Sequence, residues 1–355
     1  MTTHDMLHHF ALPPLGYTAK AFGSGHINQT FRVSAAEGGK EYLLQQINHH
    51  VFRDIEGMMR NIERVTRYLR EEIRMPENQR TLELIPTKDG RSFLQAEDGT
   101  YWRMFVFLSE LNAYDLVENL DQIYEGAKSF GIFLASLDAF PVDQLVDTIP
   151  DFHNVVFRLE NLHSSVKEDR MGRAREVKKW LSFVESVIPD MSQIQEAGRH
   201  GLIPLRVTHN DTKFNNVLLN KEGKGICVID LDTVMPGYVH YDFGDGVRTT
   251  ISKAAEDEAD LDKIEIDLGR YEAFANGYLE PTRDILSSTE LELLPISGAL
   301  FAYLMGIRFL TDFLSGDVYY KIHFEGQNLQ RASAQLTLCR NILKRLPELK
   351  KITHH

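Results

Sequence analysis

Val207-Thr208-His209-Asn210-Asp211-Thr212-Lys213-Phe214-Asn215-Asn216-Val217-Leu218-Leu219-Asn220-Lys221-Glu222-Gly223-Lys224-Gly225-Ile226-Cys227-Val228-Ile229-Asp230-Leu231-Asp232 is the stretch from which the rest of this 355-residue chain is read. Asp211 is followed five positions on by Asn216, a spacing in which one carboxylate meets an acceptor hydroxyl and one amide oxygen reaches a metal. Asp230 supplies a second oxygen ligand. The apolar run Val217 to Leu219, the turn Glu222-Gly223-Lys224-Gly225 and the return strand Ile226 to Ile229 predict a hairpin that brings Asn216 and Asp230 to one end. An amide plus a carboxylate suits magnesium, which takes few protein ligands and fills its octahedron with water and phosphate. The plainer alternative is a polar turn after a buried strand, Leu205 to Thr208, with Asn216 as an ordinary strand starter. The combination, more than any single residue, favours a site that moves a phosphoryl group.

Downstream, Asp242-Phe243-Gly244 repeats a familiar metal-binding tripeptide, but it lies beyond the turn Met235-Pro236-Gly237 and just before a helical stretch. That position suits capping and bracing of a loop, so Asp230 is the expected metal ligand.

Working outward, short strands are expected at Tyr17–Phe22, Gln29–Val33, Glu41–Ile47, Thr81–Ile85, Ser92–Ala96 and Tyr101–Phe107. Lys88-Asp89-Gly90-Arg91 and Glu97-Asp98-Gly99-Thr100 supply turns. One helix interrupts them, with Ile55, Met58, Ile62, Val65 and Leu69 on one face. Beyond about Leu111 the periodicity is helical, over 121–138, 153–166, 174–198, 268–280, 289–315 and 327–346. The fold class expected is α+β: a small antiparallel-sheet lobe over 1–110 and a mostly helical lobe over 111–355 that carries the catalytic loop.

Composition narrows the setting. With 51 acidic against 39 basic side chains and a net charge of −12, the chain is a poor match for nucleic acid. Two cysteines, Cys227 and Cys339, make no disulfide framework, and no leader-like sequence opens the chain, so a cytoplasmic protein is expected. The apolar region Ile296 to Phe313 is interrupted by Arg308 and Asp312, which predicts a buried helix and no membrane partner. The oligomeric state is left open.

Gly23-Ser24-Gly25-His26-Ile27-Asn28-Gln29-Thr30-Phe31 joins the first two strands, and its glycines would let backbone amides approach phosphate oxygens. At this point the chain resembles the aminoglycoside phosphotransferase and choline kinase superfamily, small-molecule kinases with a protein-kinase-like two-lobed fold. Within it the chain looks most like bacterial N-acetylhexosamine 1-kinases. The likeness rests on the Gly-x-Gly-His-Ile-Asn loop, Leu205 to Lys213, Ile229-Asp230-Leu231-Asp232-Thr233, Asp242-Phe243-Gly244-Asp245, and Arg308-Phe309-Leu310 followed by Gly316-Asp317-Val318-Tyr319.

The resemblance implies ATP and Mg2+ as cofactors and an N-acetylhexosamine sugar as the small-molecule substrate. It assigns Asp211 to the sugar hydroxyl, Asn216 and Asp230 to the metal, and Gly23, Ser24 and Gly25 to the phosphates. His26, Arg308 and Tyr319 would contact the sugar. Arg308 could instead pair with Asp312 one turn on, and Tyr319 could be a packing residue. Lys213 is a secondary catalytic candidate that could lie along the migrating phosphoryl group. One departure stands out: Tyr42-Leu43-Leu44-Gln45-Gln46 has Gln45 where a phosphate-binding lysine is expected. Glu63, the partner such a lysine would have, then reads equally well as a surface charge. Other hydroxyl acceptors on the same fold (homoserine, an amino alcohol, a thioribose, an aminoglycoside) and a catalytically silent nucleotide-binding scaffold are the competing readings.

Overall fold

The structure is a computed structural model that describes residues 2–354 apart from 24–26, 37, 74, 76–77 and 115–116. Its first elements are α1 (Thr3–Leu7), β1 (Tyr17–Ala21), β2 (Gln29–Ala35), β3 (Tyr42–Ile47), α2 (Ile55–Glu71), β4 (Leu94–Gln95) and β5 (Tyr101–Val106). Next come α3 (Leu120–Ser136), α4 (Val155–Glu168), α5 (Lys178–Ser186), α6 (Ile188–Arg199), β6 (Arg206–Thr208), β7 (Val217–Leu219), β8 (Gly225–Val228) and β9 (Met235–Gly237). Four helices close the chain: α7 (Val239–Thr250), α8 (Leu268–Thr282), α9 (Ser288–Ser315) and α10 (Gln327–His354).

Two compact units share the chain. The first comprises Met1–Tyr114, Ser136–Pro150 and Asn216–Pro236, and the second Asp115–Ala135, Asp151–Asn215 and Gly237–His355.

Unit 1 is built on an antiparallel sheet in the order β1-β2-β3-β5-β4. Alternation places Val33, Tyr42, Leu44, Trp102 and Met104 in a core with Met6 and Leu7 of α1 and with Phe10 beyond it. Asp54 caps α2 by accepting from Gly57 N at 2.8 Å, and Met58, Met59, Ile62, Val65 and Leu69 bury its apolar face. The β7–β8 hairpin belongs to this unit: Leu219 and Asn112 exchange both backbone hydrogen bonds, and Arg80 N donates to Ile226 O. Gly223 has φ +75° in its turn, as the Gly-rich connection requires.

Two expected strands shrink. Thr81–Ile85 makes a single bridge, Leu84 to Phe105, before Pro86 ends it, and Ser92–Ala96 contracts to β4 between its turns.

Unit 2 is helical. α9 packs against α10, α7, α4 and α6, with Ser287 and Glu290 forming a capping box at its start. Among the described residues α9 alone is long and apolar enough to cross a membrane, and 83% of that window is buried inside the protein. The expected helix over 174–198 is two helices, because Pro189 enters the first turn of α6 after Val187 leaves helical geometry. α10 runs past Pro347 to His354, beyond the expected end at 346.

Candidate active site

Unit 1 carries the residues expected to meet the nucleotide and metal. The hairpin register pairs Val217 with Val228, and one step beyond it Ile229 N donates to Asn216 O at 2.9 Å. Asn216 and the approach to Asp230 are therefore held at the same end of the hairpin. Asn216 is buried. Asp230 is exposed and left-handed, φ 60° and ψ 57°, a conformation that costs a non-glycine residue about 1 kcal/mol and that Asp tolerates better than most. The turn it makes sends Asp232 inward.

Asp232 anchors a buried network that the sequence reading missed. Arg103 of β5 forms an ion pair with Asp232 Oδ1, while Asn28 Nδ2 donates to Oδ2 at 2.7 Å. Asn28 Oδ1 accepts from Asn48 N, and Arg103 Nε donates to Gln45 Oε1 at 2.9 Å. Gln45 in turn donates to Thr30 Oγ1. Gln45 thus lies directly across from Arg103 in the β3–β5 register, and the positive charge at this place in the sheet is on β5. An arginine inside the apolar run Tyr101–Val106 was the available signal for a buried partner. Asn61 is a second missed residue: its side chain bonds Val146 O, Val146 N and Val234 O, tying α2 to two loops.

Glu63 sits on the exposed face of α2. Gly23 has φ +77°, which suits glycine; Ser24, Gly25 and His26 lie outside the described residues.

A buried amide and an exposed carboxylate at one end of the hairpin are the oxygen-donor types a magnesium ion takes, with water and phosphate filling the rest of its shell. Among the described residues no three His, Cys, Asp or Glu gather as a metal cluster.

Unit 2 carries the loop of Asp211. Asp242 is the fourth residue of α7, so it braces without capping: Oδ2 accepts from His209 N at 2.9 Å and Oδ1 from Asn210 N at 2.7 Å. Met235-Pro236-Gly237, expected as a turn, is β9. Thr212 Oγ1 donates to Asp242 O at 2.6 Å, and Phe130 and Phe133 of α3 pack edge-on against the His209 ring. Asn210 is left-handed at φ 63°. The loop is consequently fixed on both sides of Asp211.

Lys213 Nζ lies 3.0 Å from Asp211 Oδ1. Burial acts to raise the Asp211 carboxyl, but Lys213, His209 and Arg248 outweigh it and hold the group below the ordinary carboxylate value. Asp211 and Asp245 raise the Lys213 ammonium. Burial pushes Asp242 up to about 7, against its two backbone donors.

Arg308 does not pair with Asp312. The Asp312 carboxylate instead accepts from Val318 N, Tyr319 N, Tyr320 N and Asn328 Nδ2, shaping the loop after α9. The Arg308 guanidinium lies over the rings of Phe152, at 5.4 Å, and Tyr320, at 5.7 Å. Tyr319 is 67% exposed, whereas the Tyr320 hydroxyl is buried. Arg158 donates to Phe152 O at 2.9 Å; burial, then Arg308, lowers it to about 10. Among the described residues neither guanidinium is in an ion pair.

An antiparallel sheet unit that includes the β7–β8 hairpin and a helical unit with a braced His-Asn-Asp loop define a kinase-like phosphotransferase fold with two lobes. Residues 18–278 match the Phosphotransferase enzyme family, and the chain belongs to that family. An aminoglycoside phosphotransferase from Alicyclobacillus acidocaldarius shares the fold with a TM-score of 0.68 at 11% identity, over 100% of this chain and 97% of that one. A spectinomycin phosphotransferase solved with ADP and spectinomycin aligns at 0.55 and 12%, covering 99% and 97%. A choline kinase from Cryptosporidium parvum aligns at 0.55 and 18%, covering 94% and 90%.

Proposed function

We propose that this enzyme transfers the γ-phosphoryl group of ATP to the anomeric hydroxyl of N-acetylglucosamine or N-acetylgalactosamine. The observation that carries the choice of acceptor is the pair Arg158 and Arg308, two guanidiniums in unit 2 outside any ion pair among the described residues. Such a pair opposes a cationic acceptor, an aminoglycoside or a choline, and supplies donors to a neutral one rich in oxygen.

In this reading Asp211 accepts the proton of the anomeric hydroxyl as the new O–P bond forms and the bond from phosphorus to the β,γ-bridging oxygen breaks, releasing ADP. Lys213 offers a point charge to the transferred group. Asn216 and Asp230 would hold magnesium, which neutralises phosphate charge. The segment 1–110 serves the nucleotide, with Gly23, Ser24 and Gly25 as phosphate cover, and 111–355 the acceptor and the catalytic loop. His26 and Tyr319 join Arg308 as sugar contacts, and the site of action is the cytoplasm.

Phosphorus NMR of products formed with ATP, magnesium and each of N-acetylglucosamine, N-acetylgalactosamine, galactose, homoserine and choline tests the proposal. A phosphate doublet coupled to the anomeric proton of an acetamido sugar is expected. Asp211→Asn is expected to lower turnover by about 10²–10⁴-fold with the fold intact. Reaction with homoserine or choline alone would overturn the sugar assignment.

A further inference from the structure

We propose that His153, Arg308 and Tyr320 form a subsite for the acetamido group of the acceptor. His153 Nε2 accepts the amide N–H, and Arg308 with the Tyr320 hydroxyl donates to the amide carbonyl. The inference rests on the proposed sugar kinase and names the part of the sugar that selects it.

His153 is only 8% exposed, and its ring is packed among Phe152, Tyr241 and Phe301 at centroid distances of 4.3, 5.0 and 4.7 Å. The ring hydrogen-bonds the Asn210 backbone, whereas Nε2 has no partner among the described residues. Nδ1 therefore carries the hydrogen, donated to the carbonyl, and Nε2 presents a lone pair. Burial, reinforced by Arg308, pushes the imidazole down to about 3, so the ring is neutral at any working pH. A buried acceptor without a donor costs about 1–3 kcal/mol, which a ligand N–H offsets.

The donors are supplied nearby. The Tyr320 hydroxyl is buried and likewise has no partner among the described residues, and it feels both Arg308 and Arg158. Arg308, held over two ring faces, has among the described residues no carboxylate to occupy its N–H groups. One acceptor atom beside donors is the complement of an amide, which has one N–H and one carbonyl; a lone hydroxyl satisfies only part of it. The placement also fits the sugar. His153 lies within electrostatic reach of Asp211, the residue assigned to the anomeric hydroxyl, and the acetamido-bearing carbon is the neighbour of the anomeric carbon.

The test crosses variants with substrates. His153→Asn keeps a donor near the Nδ1 position and removes Nε2; His153→Gln places an amide oxygen near Nε2; Tyr320→Phe removes only the hydroxyl. Each is assayed with N-acetylglucosamine and with glucose, with the KM for ATP measured alongside and sugar binding followed by saturation-transfer NMR without nucleotide. His153→Asn and Tyr320→Phe are expected to lower the N-acetylglucosamine-to-glucose ratio of kcat/KM about 10- to 100-fold and to weaken N-acetylglucosamine binding. The KM for ATP should hold, and His153→Gln should retain most of the preference. An unchanged ratio, or equal losses for both sugars, would overturn the subsite. Wild-type turnover of acetamido sugars with no preference over the parent hexoses would overturn the subsite and leave the sugar kinase standing. Absence of any wild-type reaction with acetamido sugars would overturn both.

Discussion

Arg103 and Arg308 hold their guanidiniums in contrasting ways. Arg103, 1% exposed, gives one nitrogen to Gln45 and another to Asp232 and lies against the Phe105 ring. Arg308 touches two ring faces and the Met305 sulfur, and among the described residues no carboxylate. A guanidinium whose donors are consumed by the protein is part of the frame, while one kept in place by ring faces retains donors for a ligand. The phosphate-binding lysine missing from β3 is thus not replaced by a free cation on β5. Arg103 ties β3 and β5 to the turn after Asp230 through Gln45 and Asp232, and Asp232 in turn holds Asn28; in the proposed reading the nucleotide charge would be met by the metal, the loop amides and Lys213.

The largest effect expected from this contrast is on folding. Arg103→Met should cost about 3–5 kcal/mol in a urea titration, because it leaves the Asp232 carboxylate buried beside an apolar side chain. Adding Asp232→Asn should recover much of that loss, a coupling typical of contacting buried partners. A single-variant cost under about 1 kcal/mol would place Arg103 outside the frame and reopen it as a nucleotide contact.

Arg308→Met should behave in the opposite way. Its expected effect is an approximately tenfold rise in acceptor KM, near 1.4 kcal/mol, with stability and the KM for ATP little changed. Matching losses in stability and in both KM values would mean that Arg308 is structural as well.

The same contrast shows what the sequence made legible. The Asp211–Asn216 spacing and the Asn216-to-Asp230 hairpin are local patterns, and the register and the Ile229 N to Asn216 O bond reproduce the expected hairpin. The expectation that Asp242 braces a loop was legible from its position alone, and its carboxylate does accept from the His209 and Asn210 amides, from within α7. Arg103 and Asp232 are 129 residues apart, so no window of strand or helix periodicity sees them together. His153 reads as a helix flank until Phe152, Tyr241 and Phe301 close around it. In the loop after α9 the resemblance points to Tyr319, yet the four donors to Asp312 leave Tyr319 outward and bury the hydroxyl of Tyr320.

The remaining prediction concerns Asp242, whose place between the two arginine types depends on its proton. Burial raises its pKa to about 7 from an ordinary value near 4, so it binds a proton more tightly in the fold than in the unfolded chain. Its contribution to stability is then complete below about pH 4 and is lost as pH rises through 7. Asp242→Asn removes this titration, so urea midpoints measured from pH 5 to 8 should show the wild type declining relative to the variant up to about pH 7 and running parallel above it. Parallel midpoints across the whole range would mean that the His209 and Asn210 amides keep the carboxylate ionised throughout, and that the brace, like Arg103, is a charged group fully satisfied by the frame.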